Sequence, residues 1–341
     1  MQPVQILQGV KLAGIPGQGS FAYPLQVYRG GEQRHGSGGG EWVKTNCSKD
    51  NQRALCQVTI RHRFLTGRRL RMYQLLQQVT AVAARAGEEI LSVYDGDFDV
   101  EIKGDGSPLT MADQRSHNMI ASELAQIAPN IPMLSEESGE DVFRERFRWS
   151  RYWLVDPLDG TKEFVSRNGE FTVNIALIEH GEPVLGVVHT PVQGVTHFAA
   201  RGVGAFKSQQ HEEPVPISVR EPKADSIIMV ASRSHAGPEV EEYKSRVEND
   251  LGPVSITSMG SSLKLCLVAE GSADIYPRLG PTSEWDTAAA HCVVEVAGGR
   301  VTGTDGESLR YNKENILNPW FLVSGGGNVD WTSYFAGKIP G

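Results

Sequence analysis

What the chain lacks narrows it first. No run of about 18 apolar residues occurs in its 341 residues, so no transmembrane helix is expected. Its first residues have neither the basic start nor the apolar core of a secretory signal. Cysteine is scarce. Cys47, Cys56, Cys266 and Cys292 show neither metal-site spacing nor the density of a disulfide framework, which fits a reducing compartment with buried or idle thiols. A basic excess is missing too: Lys and Arg number 33 against 41 Asp and Glu, a net charge of −8. Proteins that grip a phosphate backbone present a basic face, so a nucleic acid polymer is not expected as a partner. An anionic small molecule stays open, because bound cations would neutralise its charge. With 40% hydrophobic and 22% charged residues, the rest is an ordinary globular composition, long enough for two modest domains or one large one.

The stretch richest in chemistry is WLVDPLDGTKEF, Trp153 to Phe164. Trp153, Leu154 and Val155 read as the end of a buried strand. Asp156 and Asp159 follow three residues apart, around Pro157, with Gly160 and Thr161 behind them. Proline fixes φ and removes a donor, so a turn is expected directly after Asp156. Such a turn can aim both carboxylates and the Leu158 carbonyl at one point, and hard oxygen donors suit Mg²⁺. If Gly160 and Thr161 open a helix, their amides can bind a phosphate oxygen. Asp-Pro and Asp-Gly are also common turn formers, but a turn alone needs neither the second Asp nor the Thr.

Residues 1–71 read as a disordered extension, or as sequence translated from too early a start, with Met72 a natural first residue. They hold GEQRHGSGGG at 31–40, no sustained period, and five arginines without an acid from Arg61 to Arg71. A basic arm or a transit peptide is the alternative. From Met72, Leu75, Leu76, Val79, Ala83, Ala86 and Ile90 recur at helical spacing and predict a helix to about residue 92. The acidic stretch at 95–108 lacks calcium-loop spacing and reads as a solvated turn leading into an extended segment. Asp113 stands just before a second helix, where it would serve as N-cap. Glu136 and Glu137 end a short strand and, taken alone, would be surface charges. Phe171, Val173, Ile175 and Leu177 alternate with Thr172 and Asn174 in the next strand, which returns through Val184 to His189. RGVGAF at 201–206 is a hairpin and not a dinucleotide loop, since no helix follows. After the Pro-rich link at 212–225, strands at 226–232 and 273–278 alternate with a serine-capped helix in 260–271 and a helix that starts at Asp286 and stops at Gly298–Gly299. The division expected is an N-terminal α+β metal-binding part at 72–222, an α/β part at 223–331 and a tail from 332.

Asp113, Glu136–Glu137, the 156–161 unit and Trp285–Asp286 together reproduce D…EE…DP(L/I)DGT…WDxA in order. By these motifs the chain, from about Met72 to Trp331, resembles the inositol monophosphatase-like superfamily of metal-dependent, lithium-sensitive phosphomonoesterases. KEFVSRNGEFTVNIALI, ASRSH, GSSLKLCLVAEGSADIYPR and WDTAAAH are similar to its bisphosphate-nucleotidase branch. The resemblance implies a mixed α/β fold, a layered αβαβα sandwich with the site between two domains. It implies hydrolysis of the 3'-phosphate of adenosine 3',5'-bisphosphate to AMP and phosphate, clearing a by-product of sulfate assimilation, with action on the sulfated analogue as well.

The same resemblance implies two or three Mg²⁺ ions on Glu136, Asp156, Asp159, Asp286 and the Leu158 carbonyl. Asp113 would hold the weakest metal through water and orient the attacking water with Thr161, Glu136 sharing in catalysis. The Gly160 and Thr161 amides would hold the phosphate. His235, Ser261, Lys264 and Arg278, with Asp286, would contact the nucleotide. Phosphate esters repel anionic nucleophiles, so cations must come close to the phosphoryl group, and direct attack by water needs no Cys or His nucleophile. Inositol monophosphatase and fructose bisphosphatase share this metal site, and a silent nucleotide or metal sensor belongs to another class. The expected location is cytoplasmic, or peripheral on the cytoplasmic side of the inner membrane; monomer and homodimer both stay open.

Overall fold

The computed structural model describes residues 67–94, 100–102, 108–210, 212–232 and 237–335. Cys47, Cys56, His235, the extension up to residue 66, most of the acidic stretch and the last six residues lie outside them.

Helix α1 (Gly67–Tyr94) carries the expected stripe, with Leu76, Val79, Ala83, Ala86 and Ile90 fully buried. It begins at Gly67 and not at Met72, so part of the arginine run is its exposed first turn. Arginine is a good helix former, so the helix continues upstream of the apolar pattern that made it legible. A strand pair, β1 (Val100–Ile102) with β2 (Pro108–Thr110), leads into α2 (Met111–Ile127). Both helices pack on one face of a seven-stranded sheet.

That sheet runs β3 (Met133–Ser135), β4 (Arg151–Asp159), β5 (Thr172–Glu179), β6 (Glu182–Thr190), β7 (Val195–Ala200), β8 (Gly204–Gln209) and β9 (Val215–Pro216) in chain order. Only β3 and β4 pair in parallel, with α3 (Glu140–Glu145) between them. Successive side chains of a strand face opposite ways, and β4 and β5 bury both sets. Trp153, Val155, Val173, Ile175 and Leu177 join the core under α1 and α2. Tyr152, Leu154, Ala176 and Ile178 join a second core on the other face. Thr172 and Asn174, on that second face at the site end of β5, are buried as well. Their polarity therefore needs partners there, not solvent.

The second core is closed by α6 (Leu263–Ala269) and α7 (Glu284–Val296), behind which stands a five-stranded sheet. Its strands are β10 (Ile227–Ser232), β11 (Val254–Met259), β12 (Ile275–Arg278), β13 (Arg300–Gly303) and β14 (Phe321–Ser324), ordered β11-β10-β12-β14-β13. Helix α5 (Pro238–Leu251) covers the far face, where Val247 and Tyr243 meet Trp331 in a third core. The layers are thus helix, sheet, helix, sheet, helix, as expected. The expected boundary at 222/223 falls between the two sheets. In the expected tail, the described residues Tyr334 and Phe335 lie against the Tyr243 ring, whose hydroxyl donates to the Trp331 carbonyl at 2.8 Å.

Helix α7 sits unusually close to the first sheet. A Cβ on Gly186 of β6 would lie 2.1 Å from the Ala289 carbonyl oxygen, so only glycine fits there. Ala288, Ala289 and Ala290 keep the helix side of this contact equally thin. The sequence pattern did not reveal α5 or β11, although Gly237–Pro238 followed by Val240, Tyr243 and Val247 has the start signal and spacing of a helix.

Candidate active site

The expected turn after Asp156 is not a turn. Strand β4 runs on to Asp159, and its pairing with β5 slips between Asp156↔Asn174 and Asp159↔Thr172, three residues opposite two. This is a β-bulge, which takes an unpaired residue and kinks the strand so that side chains are re-aimed. Pro157, which has no N–H to give a ladder, suits it. Asp156 Oδ1 accepts the Leu158 N–H at 3.0 Å, and Ser116 of α2 donates its hydroxyl to the Pro157 carbonyl at 2.8 Å. Gly160 then adopts φ +93°, where glycine alone is unstrained, and Thr161 opens the short helix α4 (Thr161–Val165).

Around this bulge three more elements bring acids. Asp113 is no N-cap: helix α2 starts at Met111, which places Asp113 in its first turn, 1% exposed. Strand β3 delivers Glu136, whose N–H donates to the Val155 carbonyl at 3.1 Å. Glu136 is half-buried and its charge acts on Asp156, whereas the charge of Glu137 acts on His117. Asp286 is the third residue of α7. Its Oδ2 accepts the Ser283 N–H at 2.8 Å in a capping box, so helix initiation and site placement are one event.

Asp156, Asp159 and Asp286 each present a carboxylate oxygen within 4.8 Å of the others. Burial first, then Glu136, Asp159, Asp286 and Asp113, hold Asp156 well above the usual carboxylate range. Burial, then Asp159, push Asp286 up to about 8. Asp159 is also raised by burial, although Lys264 and the Ser262 N–H pull it back. Asp156 buried beside half-buried Asp159 and Asp286, all resisting ionisation together, forms a set that a hard divalent cation would relieve. The donor chemistry therefore fits a metal of that kind.

The cleft continues from these acids to a basic end. Asp159, Gly160, Ser261, Lys264, Arg278 and Asp286 line it together. Lys264 is 7% exposed, and burial, opposed by Asp159, lowers its ammonium to about 8. Its Nζ donates to the carbonyl of Ser261, a residue held at φ +42°. Arg278 donates to the Pro281 carbonyl at 2.8 Å. Thr161 is half-buried beside Gly160 and is not among the cleft-lining residues. The Leu158 side chain enters the core under α1 and α2, which leaves only its backbone to the site.

Three residues escaped the sequence reading. The helix in 260–271 is expected to have a serine cap; Ser262 stands at that position, yet its hydroxyl makes no cap bond and donates instead to Asn174 Oδ1 at 2.8 Å. Its N–H donates to Asp159 Oδ2 at 2.6 Å. Thr172 lies 3.0 Å from the same hydroxyl. The only available signal was two polar residues in a strand otherwise apolar on both faces.

The profile of the inositol monophosphatase family matches residues 72–325. The 3'(2'),5'-bisphosphate nucleotidase CysQ of Shigella flexneri is 50% identical over 255 residues, 73% of this chain and 99% of that protein. Its namesake in Escherichia coli (strain K12) is 49% identical over the same shares. The crystal structure of CysQ from Bacteroides thetaiotaomicron superposes with a TM-score of 0.66 at 43% identity, covering 75% of this chain and 98% of that one. Nearly the whole length of each relative is thus accounted for, and from residue 72 onward this chain belongs to the inositol monophosphatase family, on the branch that holds the CysQ proteins.

Proposed function

We propose that this chain is a divalent-cation-dependent phosphomonoesterase that removes the 3'-phosphate of adenosine 3',5'-bisphosphate, leaving AMP and phosphate. One observation carries the reading: a carboxylate cluster and a Lys264–Arg278 basic end share one cleft, in a chain half-identical to a bisphosphate nucleotidase over nearly all of that protein. A substrate with a phosphate at each end of a nucleoside needs both ends of such a cleft. Guanidinium is well suited to the phosphate that is not cleaved.

Asp156, Asp159 and Asp286 would hold the cation, with Glu136 and the Leu158 carbonyl as further ligands. Bound there, two or three Mg²⁺ ions would supply positive charge to the phosphoryl group and make water a competent nucleophile near neutral pH. Asp113 and Thr161 orient the attacking water. The Gly160 and Thr161 amides receive the phosphate oxygens, and Ser261, Lys264 and Arg278, with His235, receive the nucleotide. Displacement is direct, without a phosphoenzyme, and burial pushes the Cys266 thiol up, away from a nucleophile's range. We place the activity in the cytoplasm; among the described residues no helix is long and apolar enough to cross a membrane.

Phosphate release with Mg²⁺, from adenosine 3',5'-bisphosphate against inositol 1-phosphate and fructose 1,6-bisphosphate, tests the reading. Preference for the nucleotide supports it. Preference for inositol phosphate keeps the metal chemistry and overturns the substrate. Nucleotide binding without phosphate release in Mg²⁺ points to a sensor.

A further inference from the structure

We infer that Thr172, Ser262 and Asn174 form a one-way hydrogen-bond relay that positions Asp159 to bind the metal through a single oxygen. The inference rests on the metal-site part of the proposed function and not on its substrate. Among the described residues the hydrogen bonds to Asp159 go to Oδ2, from the Ser262 N–H at 2.6 Å and from Asn174 Nδ2 at 3.3 Å; Thr172 Oγ1 lies 3.4 Å from the same oxygen, but its single proton is taken by the shorter contact to Ser262. None reaches Oδ1, which is left for a cation.

Donor counting sets the direction. Asn174 Nδ2 faces Asp159 only if Asn174 Oδ1 turns the other way, and there it accepts the Ser262 hydroxyl at 2.8 Å. A hydroxyl has one proton, so Ser262 Oγ must accept from Thr172 at 3.0 Å. Thr172, Asn174 and Ser262 are 0%, 1% and 2% exposed, too buried to meet substrate. The relay also joins β5 of the first sheet to the segment entering α6, so the metal ligand is held from both sides of the cleft. Groups that orient ligands in this way typically change metal affinity ten- to a hundredfold.

The test is calorimetric titration of the full chain with Mn²⁺, without substrate, alongside Mg²⁺-induced shifts in Tm. Ser262→Ala and Thr172→Val are expected to weaken Mn²⁺ binding about tenfold, while Thr172→Ser, which keeps the hydroxyl, retains wild-type affinity. In turnover assays, the Mg²⁺ concentration for half-maximal rate should rise in the first two variants while the KM for the nucleotide holds. Unchanged Mn²⁺ affinity in both, equal loss in Thr172→Ser, or an effect confined to substrate KM overturns the relay. A wild-type protein that binds Mn²⁺ but prefers another phosphate ester overturns the substrate reading and leaves the relay standing.

Discussion

Asp159 is the residue on which most of the site converges: Ser262 and Asn174 donate to one of its oxygens, Thr172 stands behind Ser262, and Asp159 lies in the carboxylate cluster. Asp159→Asn keeps the size and the acceptor but loses the charge that a cation needs. Phosphate release should fall by more than about a hundredfold, beyond what loss of an orienting partner costs; activity near wild type would remove Asp159 from the ligand set. A second residue makes a prediction about stability alone. His189 on β6 lies 2.8 Å from Thr196 Oγ1, and burial pushes its imidazole down to about 4. The native state therefore binds fewer protons than the unfolded chain between pH 4 and 6.5, and stability falls as pH drops through that window. The full loss is roughly 3 kcal/mol. His189→Gln should flatten the dependence of Tm on pH between 6.5 and 4; an unchanged slope would assign the acid sensitivity elsewhere.

Helix α7 carries Asp286 on its first turn and leans on β6 through Gly186. Gly186→Ala would drive a methyl group into the Ala289 carbonyl, and overpacking of this kind costs about 1–3 kcal/mol. Helix α7 must then lift from the sheet and take Asp286 with it. Tm should fall, and the Mg²⁺ requirement should rise in parallel. A stability loss with unchanged Mg²⁺ requirement would mean that the helix pivots about its N-terminus. At this scale some elements were legible and others were not. The stripe from Leu76 to Ile90 and the alternation in β5 are periodic, and periodicity survives whatever the chain packs against. The bulge in β4 is not periodic: Asp-Pro-Leu-Asp is compatible with a turn, and only pairing with β5 keeps it in the sheet.

For the molecule as a whole, the buried carboxylates make stability depend on metal and proton together. Asp286, pushed up to about 8, holds a proton in the native state that the unfolded chain releases at its ordinary 3.8. Without metal, stability is therefore full below the ordinary carboxylate range and is lost as pH rises toward 8. A bound cation replaces the protons, so EDTA should lower Tm more at pH 8 than at pH 6; equal shifts would mean that the cluster does not bind the metal. Deletion of residues 1–66 should leave kcat/KM unchanged, since the family match begins at residue 72 and the buried face of α1 at Leu76. A large loss would make that segment part of the working enzyme.

By itself the sequence determined the α/β class, the main periodic elements and the three acids Asp156, Asp159 and Asp286 of the carboxylate cluster, because hydrophobic period and motif chemistry are local properties carried by neighbouring residues. It could not tell that Asp113 is buried inside a helical turn, that the charge of Glu136 acts on Asp156, or that the Ser262 hydroxyl goes to Asn174 and makes no cap bond on α6. Those outcomes join residues as far apart as Asp159 and Ser262. A short polar side chain such as serine can satisfy a local amide or a distant partner at similar cost. Only the closing of two sheets on α6 and α7 decided which partner each polar group met.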